Sequence, residues 1–558
     1  MKMDKKKEQN DETFKIGLCM AGAVSAGAYT AGVLDYLIEA LETWDVQKRS
    51  GNQNIPTHNV VIDVTGGASA GGMTSIVLAS AVNNPIPPVQ KIEGNIFQQK
   101  PENKFYHSWV DLTQDDMFPA MLNNKDIHKN GTVTSLLNSD FIDDVASRLK
   151  DVDKEKWQSR TYISEHMKVF VTLSNLKGYE FNVAFKGDTN KTTPYYISRH
   201  NDYACFILNK NREQYGNDGW MPLDFKSGLN VNVAKDAAMA TGAFPVGLPA
   251  RRVTRDGLYV NQLSWLKDVT KLNPILEGDY ESLFVDGGLI NNEPFERVRE
   301  CLNEQTGETK SEYESFDKFR STVIMIDPFP SMPGIYKDDD LIGNVTGHTF
   351  STMMNQLRDK PASLTDALDT DNAGQFLISP SRTLLVGNEY KHLQGSKAIA
   401  CGTLGGFGGF LNKEFRIHDF FLGRANCEKF LRDYFTVPVD TSNPIFQNGY
   451  RDVPKGMFVS QMDGSRQIIP IFTERTKKPY IPTFSSGTDW PIRKEHDIDR
   501  FRPLLKRRIQ SLALHIGHLS TFKKLLTWLI CKTFLNGFAA DKVIGAIKES
   551  MKDADLLK

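Results

Sequence analysis

A candidate serine nucleophile is the first chemical feature of the sequence. Residues 67–71 read Gly-Ala-Ser-Ala-Gly, a G-x-S-x-G sequence with Ser69 at its centre and Gly67 and Gly71 on either side. An apolar run from Val60 to Thr65 predicts a strand before it, and a helix is expected from about Ala70. Such a turn holds the serine in a strained conformation, with a helix N-terminus behind it that favours developing negative charge. The alternative is a glycine-rich turn whose serine is incidental.

A second glycine-bearing loop lies between a predicted strand and a predicted helix. Residues 21–27 read Ala-Gly-Ala-Val-Ser-Ala-Gly, after the strand Phe14 to Met20 and before a helix from about Ala28. Successive backbone N–H groups in such a loop can point at an oxyanion, as acyl transfer requires. They could also bind a phosphate, but the sequence contains no G-x-x-x-x-G-K-[ST] motif and this loop is not a G-x-G-x-x-G fingerprint.

A candidate catalytic carboxylate lies much later in the chain. Asp286-Gly287-Gly288 follows a short predicted strand, Ser282 to Val285. A carboxylate at the carboxyl end of a strand can point into the crevice where α/β sheets bind ligands. Asp-Gly is equally an ordinary turn sequence, so this motif gains meaning only from the other two.

Two strand-turn-helix units open the chain, and this alternation predicts an α/β fold with a mostly parallel sheet that positions these residues. Further strands are predicted at 168–173, 179–185, 282–285 and 322–326, and residues 86–165 are interpreted as inserted helices and loops. We expect a core at 12–345 and a mainly helical C-terminal extension at 346–558, packed on the core or facing a membrane. In this extension, a glycine cluster at 402–409 is interpreted either as a flexible turn or as an ordered feature, and a helix is predicted at 418–434.

Together the three motifs resemble those of the patatin-like phospholipase family, in the same order and in the same strand-end settings. A fourth stretch, Ala240 to Pro245, resembles the segment that commonly precedes the family's aspartate, and the resemblance covers about residues 14–330. His418-Asp419-Phe420 with Gly423-Arg424 is similar to a C-terminal block of some bacterial patatin-related proteins; a packed, ion-paired helix start is the alternative interpretation. The resemblance implies a three-layer patatin-like core with a nucleophile elbow.

The resemblance also implies a Ser-Asp dyad without histidine, in which Asp286 takes the proton of Ser69. It implies that backbone N–H groups at Gly22, Ala23 and Ala70 hold the oxyanion, that Gly67, Gly71, Gly287 and Gly288 shape the turns, and that no metal or cofactor is needed. An unperturbed aspartate is a weak base, so we expect Asp286 to be partly buried with a raised pKa. The implied substrates are glycerophospholipids or related acyl lipids.

One departure from the family and two alternatives accompany this interpretation. The family usually has consecutive glycines and a basic residue in the oxyanion loop, where this chain has Ala23, Val24 and Ala26. A lipid- or ligand-binding module that keeps the fold without the reaction is one alternative. The other is a Ser-His-Asp esterase of another α/β class, since His348, His392 and His418 follow Asp286 in the required order.

Composition limits the partners and the compartment. With 67 Lys+Arg against 68 Asp+Glu the net charge is -1, which gives no global field for nucleic acid. The six cysteines form no CxxC pair, and no run reaches 18 apolar residues, so we expect a cytoplasmic protein, at most peripheral at a membrane. Residues 501–535 contain seven basic residues and no acidic one, with apolar residues at helical spacing. This segment is predicted either to touch a membrane or to pack as a core helix.

Overall fold

A computed structural model describes residues 13–112, 116–183, 195–209, 218–266, 278–330, 352, 372–387, 389–474, 479–516 and 536–558. In these ranges the strands are β1 (Thr13–Met20), β2 (Asn59–Gly67), β3 (Ile163–Val183), β4 (Tyr195–Leu208), β5 (Met221–Leu223), β6 (Arg251–Asp256), β7 (Asp279–Asp286), β8 (Ser321–Ile326), β9 (Gln375–Ile378), β10 (Ser381–Val386), β11 (Glu389–Gln394), β12 (Thr436–Val437) and β13 (Arg466–Gln467).

The helices fall into an early group that surrounds the sheet and a late group in the C-terminal part. They are α1 (Gly27–Arg49), α2 (Ser69–Ala81), α3 (Ile96–Gln99), α4 (Lys104–Trp109), α5 (Phe118–Met121), α6 (Lys125–Asn130), α7 (Asp140–Ser147), α8 (Val231–Thr241), α9 (Gly257–Val260), α10 (Phe295–Thr306), α11 (Lys310–Tyr313), α12 (Gly408–Leu411), α13 (Lys413–Asp433), α14 (Pro444–Gly449), α15 (Glu495–Asp499), α16 (Arg502–His515) and α17 (Asn536–Asp553).

Nine strands form one mixed, mostly parallel sheet, which confirms the predicted α/β class. Its order is β5-β4-β3-β2-β1-β8-β9, with β7 paired to both β3 and β6. Side chains of β1 alternate between the two faces: Leu18 packs in the core cluster that contains α1 and α2, whereas Cys19 packs against α10 on the other face. The sheet is therefore covered by helices on both sides, as the three-layer prediction requires.

The long strand β3 brings the ends of two other strands together. β2 runs parallel to β3 and ends with Gly67 opposite Val171, whereas β7 runs antiparallel to β3 and ends with Asp286 opposite Leu173. Val171 and Leu173 are two residues apart, a separation of about 7 Å along a strand. The carboxyl ends of β2 and β7 thus meet nearly end to end along β3.

The C-terminal part of the chain packs directly on the elements that carry the first two motifs. α13 crosses α1 closely enough that a Cβ added at Gly423 would lie 3.0 Å from the backbone nitrogen of Val33. Beside this crossing, Arg424 pairs with the buried Asp35, and burial raises the pKa of the Asp35 carboxyl in spite of that cation. Strand β9 also pairs with β8, so one strand of the central sheet comes after residue 345. The predicted boundary between the core at 12–345 and the extension at 346–558 lies outside the described residues and stays a prediction.

Candidate active site

Ser69 lies at a sharp turn between β2 and α2. Its φ of 50° is in the left-handed region, which non-glycine residues rarely adopt. The turn is tight: a Cβ added at Gly67 would lie 2.5 Å from the carbonyl oxygen of Met20 and 2.6 Å from the carbonyl carbon of Gly71. Only glycine fits there without moving the backbone of the neighbouring strand. The left-handed φ of Ser69 costs on the order of 1–3 kcal/mol, and backbone strain of this size is characteristic of functional sites.

Asp286 faces Ser69 from the end of β7. Ser69 Oγ donates a hydrogen bond of 2.6 Å to Asp286 Oδ2, and the two residues are 7% and 6% exposed. The other carboxylate oxygen, Oδ1, accepts from the Gly288 N–H at 2.8 Å, while the Asp286 N–H donates to the Ala243 carbonyl at 2.9 Å. These backbone contacts fix the carboxylate so that Oδ2 is directed at the serine.

The backbone of residues 286–288 also packs tightly against β3. A Cβ added at Gly287 would collide with Thr172, and one at Gly288 would lie 3.1 Å from Asp286 Oδ1. Ser174 Oγ donates to the Asp286 carbonyl at 2.8 Å. The two glycines therefore let the chain turn away immediately after the aspartate without displacing it.

The loop of residues 21–27 lies against the serine. A Cβ added at Gly22 would be 3.0 Å from Ser69 Cβ, so glycine is needed for this close approach. The Gly22 N–H makes a long bond of 3.4 Å to the Asn292 carbonyl, which is weak enough to be shared with another acceptor. Among the residues that the structure describes, none accepts a hydrogen bond from the N–H of Ala23 or Ala70.

Thr241 is a contact of the serine that the sequence analysis did not identify. Its Oγ1 accepts a 2.9 Å hydrogen bond from the Ser69 N–H, and the side chain is fully buried. This bond satisfies the first N–H of α2, one of the N–H groups that have no acceptor within a helix. The signal in the sequence is position: Thr241 belongs to the stretch 240–245, which resembles the segment that precedes the family's aspartate.

An apolar pocket opens beside the serine. Its cavity volume is about 100 Å³, and Ser69 and Asp286 lie in its wall. The other lining side chains are mostly apolar and come from α2, from the inserted helices, from α8 with the loop that follows it, and from the C-terminal part; they include Met73, Trp109, Phe141, Met239, Phe244 and Phe410. Among the described residues of the lining, Arg251 is the one charged side chain besides Asp286, and it pairs with Asp143 at 2.7 Å. The lining suits a hydrocarbon group better than an ionic group.

The glycine cluster of the C-terminal part is ordered and supports the 21–27 loop. Ser25 Oγ donates to the Gly406 carbonyl and accepts from the Gly409 N–H at 3.0 Å. Next to this contact, Val24 has a φ of 48° and Leu404 a φ of 54°. The Leu404 N–H donates to Ser550 Oγ of α17 at 3.0 Å, which ties the cluster to the last helix of the chain. Residues more than 370 positions away thus hold the loop beside Ser69.

The histidines proposed for a triad have other partners or lie outside the described residues. His392 Nδ1 contacts Thr383 Oγ1 at 3.0 Å in the β10–β11 hairpin. His418 Nδ1 contacts Asp419, whose carboxylate accepts from the N–H groups of Ala400 and Cys401 at 2.8 and 2.9 Å. His418 and Asp419 thus have the packed, hydrogen-bonded role of the alternative interpretation, although the helix begins earlier, at Lys413. His348 lies outside the described residues.

The basic segment 501–535 is described only up to residue 516. Within α16, Arg508 is 1% exposed and binds Asp126 with both terminal nitrogens, at 2.6 and 2.9 Å. Arg502 pairs with Asp499 and Asp541. Two of the seven basic residues therefore anchor α16 to the rest of the chain, and residues 517–535 lie outside the described part.

The described ranges contain neither a helix that could span a membrane nor a cluster of metal-binding side chains. None of their helices is both long and apolar enough to cross a bilayer. No group of three or more His, Cys, Asp or Glu side chains there has the geometry to hold a metal ion.

Comparison with known proteins identifies the family. The solved structure of VipD from Legionella pneumophila aligns over 98% of this chain and 88% of its own length at 12% identity, with a TM-score of 0.22 that supports no conclusion about the fold. The uncharacterized protein y4iI of Sinorhizobium fredii is 30% identical over 477 residues, which are 76% of this chain and 65% of the relative, so the chain spans less than two thirds of it. The family model for patatin-like phospholipase matches residues 18–299, half of the chain and nearly all of the elements that build the site. The chain therefore belongs to the patatin-like phospholipase family.

Proposed function

We propose that this protein is a serine lipid acyl hydrolase of phospholipase A type, in which Ser69 is the nucleophile and Asp286 its general base. The observation that carries the proposal is the 2.6 Å hydrogen bond from Ser69 Oγ to Asp286 Oδ2 at the wall of an apolar pocket. Family membership supports lipid hydrolysis in general. The two residues, their roles and the ester substrate are the finer part of the proposal.

In the first half of the reaction, Asp286 Oδ2 takes the proton of Ser69 Oγ as that oxygen attacks the ester carbonyl carbon. The tetrahedral oxyanion is held by backbone N–H groups of Gly22, Ala23 and Ala70. Asp286 then gives the proton to the leaving alcohol oxygen as the ester C–O bond breaks. The acyl group remains on Ser69, and the lysolipid alcohol departs.

In the second half, water replaces the alcohol. Asp286 takes one proton from the water as its oxygen attacks the acyl carbon, and returns that proton to Ser69 Oγ when the acyl bond breaks. The fatty acid leaves through the apolar pocket.

The pocket supports an acyl lipid rather than a small polar ester. Each methylene group that moves from water into such a pocket contributes about 0.8 kcal/mol. Since Arg251 is already paired with Asp143, the lining offers no unpaired cation for a phosphate group deep in the pocket among the residues described. We therefore expect the hydrocarbon chain in the pocket and the head group outside it.

Hydrolysis of a fluorescent phospholipid by the full chain and by Ser69→Ala tests the proposal. Ser75→Ala is a matched control, because Ser75 is a buried serine of the same helix whose hydroxyl donates to the Gly71 carbonyl at 3.2 Å. We expect turnover by the wild type and by Ser75→Ala and none by Ser69→Ala. Lipid binding without turnover by the wild type would instead favour the binding module.

A further inference from the structure

Three exposed apolar side chains lie on two paired segments, one of which also lines the pocket. Leu136 and Phe244 are each 45% exposed and Val246 is 71% exposed; we call these three residues the rim patch. The Leu136 N–H donates to the Val246 carbonyl at 2.9 Å, and the Leu137 N–H donates to the Gly247 carbonyl at 3.0 Å. Two segments more than 100 residues apart in sequence therefore run side by side and present one apolar surface.

The rim patch is continuous with the interior of the pocket. Phe244 belongs to both, since its ring also lines the pocket beside Ser69 and Asp286. Inside the mouth it packs edge-on against Phe407, with 5.8 Å between the ring centroids. A hydrocarbon chain that moves from the rim patch to the serine would remain in contact with apolar side chains along the way.

Val246 has a backbone conformation that is unfavourable for valine. Its φ is 66°, a left-handed value at which a β-branched residue is a clear outlier. An exposed apolar side chain on a strained backbone does not stabilise the folded state, whereas glycine or asparagine at this position would relieve the strain. A strained residue of this kind is a reason to look for a function.

We propose that the rim patch docks on the surface of a lipid bilayer and delivers lipid to the pocket; this inference rests on the proposed hydrolase function. The bilayer is the occupant because the patch leads into a pocket for an acyl chain. Charges nearby are mixed: Lys506 and Arg507 of α16 are exposed, and so are Asp140 and Asp144 of α7. Apolar insertion rather than charge therefore drives binding, and neutral vesicles suffice.

The test uses the full chain in the Ser69→Ala background, so that vesicles are not consumed, and sedimentation with phosphatidylcholine vesicles. The double variant Leu136→Ser/Val246→Asn removes apolar surface, and asparagine tolerates the left-handed φ of Val246, so the fold should be retained. Losing these contacts is expected to weaken partitioning about tenfold. Adding phosphatidylglycerol should change the binding of either protein little.

A matched control is available near the amino ends of the parallel strands, opposite to the site. Val439 is 50% exposed, and the loop that follows it is tied by Thr441 Oγ1 to the Phe316 carbonyl, before the amino end of β8. The site, in contrast, lies at the carboxyl ends of the parallel strands β1 and β2. Val439→Asn makes the same chemical change away from the pocket and should bind vesicles like the wild type.

The readouts separate this inference from the proposed function. Unchanged sedimentation of the double variant would overturn the docking surface, even if the protein with Ser69 intact hydrolyses a soluble monomeric ester. Vesicle binding that depends on the rim patch, without hydrolysis of any ester, would overturn the function and leave the docking surface standing. A change from dimer to monomer in the double variant, with no loss of vesicle binding, would assign the patch to a second copy of the chain and overturn the lipid surface.

Discussion

Replacing Ser25 by alanine should impair catalysis without removing any group that touches the substrate. The Ser25 hydroxyl is 1% exposed and bonds both the Gly406 carbonyl and the Gly409 N–H. In Ser25→Ala both of these buried groups lose this partner. At about 1–3 kcal/mol for each unpaired group, the free energy of unfolding should fall by about 2–4 kcal/mol after partial relaxation.

The effect on rate follows from the conformation of the loop. Val24, next to Ser25, holds a φ of 48°, which costs on the order of 1–3 kcal/mol and persists only while the surroundings enforce it. Without the hydroxyl the loop should relax and displace the N–H groups of Gly22 and Ala23. Complete loss of one oxyanion donor costs about 10²–10³ in rate, so partial displacement should lower kcat about 10- to 100-fold.

The assay measures kcat and KM on a soluble short-chain ester, together with a thermal melt. KM should change less than kcat, because most of the pocket lining comes from other segments. Gly409→Ala perturbs the same contact from the other side, since its Cβ would lie 2.7 Å from Ser25 Oγ, and should give the same fall in kcat. Ser80→Ala, which removes a buried hydroxyl bonded to the Val77 carbonyl of its own helix, is the control. A Ser25→Ala protein with a lowered melting temperature and the wild-type kcat would refute the reasoning.

Three further outcomes are expected. Thr241→Val removes the acceptor of the Ser69 N–H, so it should lower the free energy of unfolding by about 1–3 kcal/mol and also lower kcat. Thr241→Ser keeps the hydroxyl and should retain both. Equal kcat on the soluble ester for the wild type, Thr241→Val and Thr241→Ser would rule out the role of this bond. Burial lowers the pKa of His58 from 6.5 to about 3. Neutral His58 therefore contributes to the free energy of unfolding above pH 6.5, and this contribution is lost as the pH falls towards 3. Urea unfolding at several pH values should show a slope of up to about 1.4 kcal/mol per pH unit from this group, and an unchanged slope in His58→Gln would contradict the assignment. Hydrolysis should be insensitive to EDTA, because in the proposed mechanism backbone N–H groups hold the oxyanion; complete loss of activity in EDTA that calcium restores would contradict this.

The sequence predicted the local elements of the site well because each has a short-range signal. The strands that lead to Ser69 and Asp286 contain apolar runs followed by glycine-bearing turns, and their predicted bounds lie within a few residues of the observed ones. The two strands predicted at 168–173 and 179–185 are instead one strand, β3, with a shift in its pairing with β4 between Ser174 and Tyr179. Polar residues at that irregularity made one strand resemble two.

Long-range contacts could not be predicted in the same way. Nothing near Thr241 indicates that its hydroxyl accepts from the Ser69 N–H, and nothing near residues 402–409 indicates that they bind Ser25. Both contacts depend on how distant segments pack. Likewise, strand β9 has a pattern too short to assign to the central sheet before its pairing with β8 is known. Local periodicity therefore determines the elements, whereas the tertiary arrangement determines which of their polar groups meet.

The most direct test of the central claim is a double-mutant cycle on Ser69 and Asp286, measured as kcat/KM for one phospholipid substrate. Asparagine keeps the shape of Asp286 but cannot take the serine proton, so a folded Asp286→Asn protein isolates base function from packing. If the two residues act as one unit, Ser69→Ala and Asp286→Asn each abolish nearly all turnover and the double variant is scarcely worse than either. A folded Asp286→Asn protein with near wild-type kcat/KM, or a folded His348→Ala protein as inactive as Ser69→Ala, would contradict the dyad.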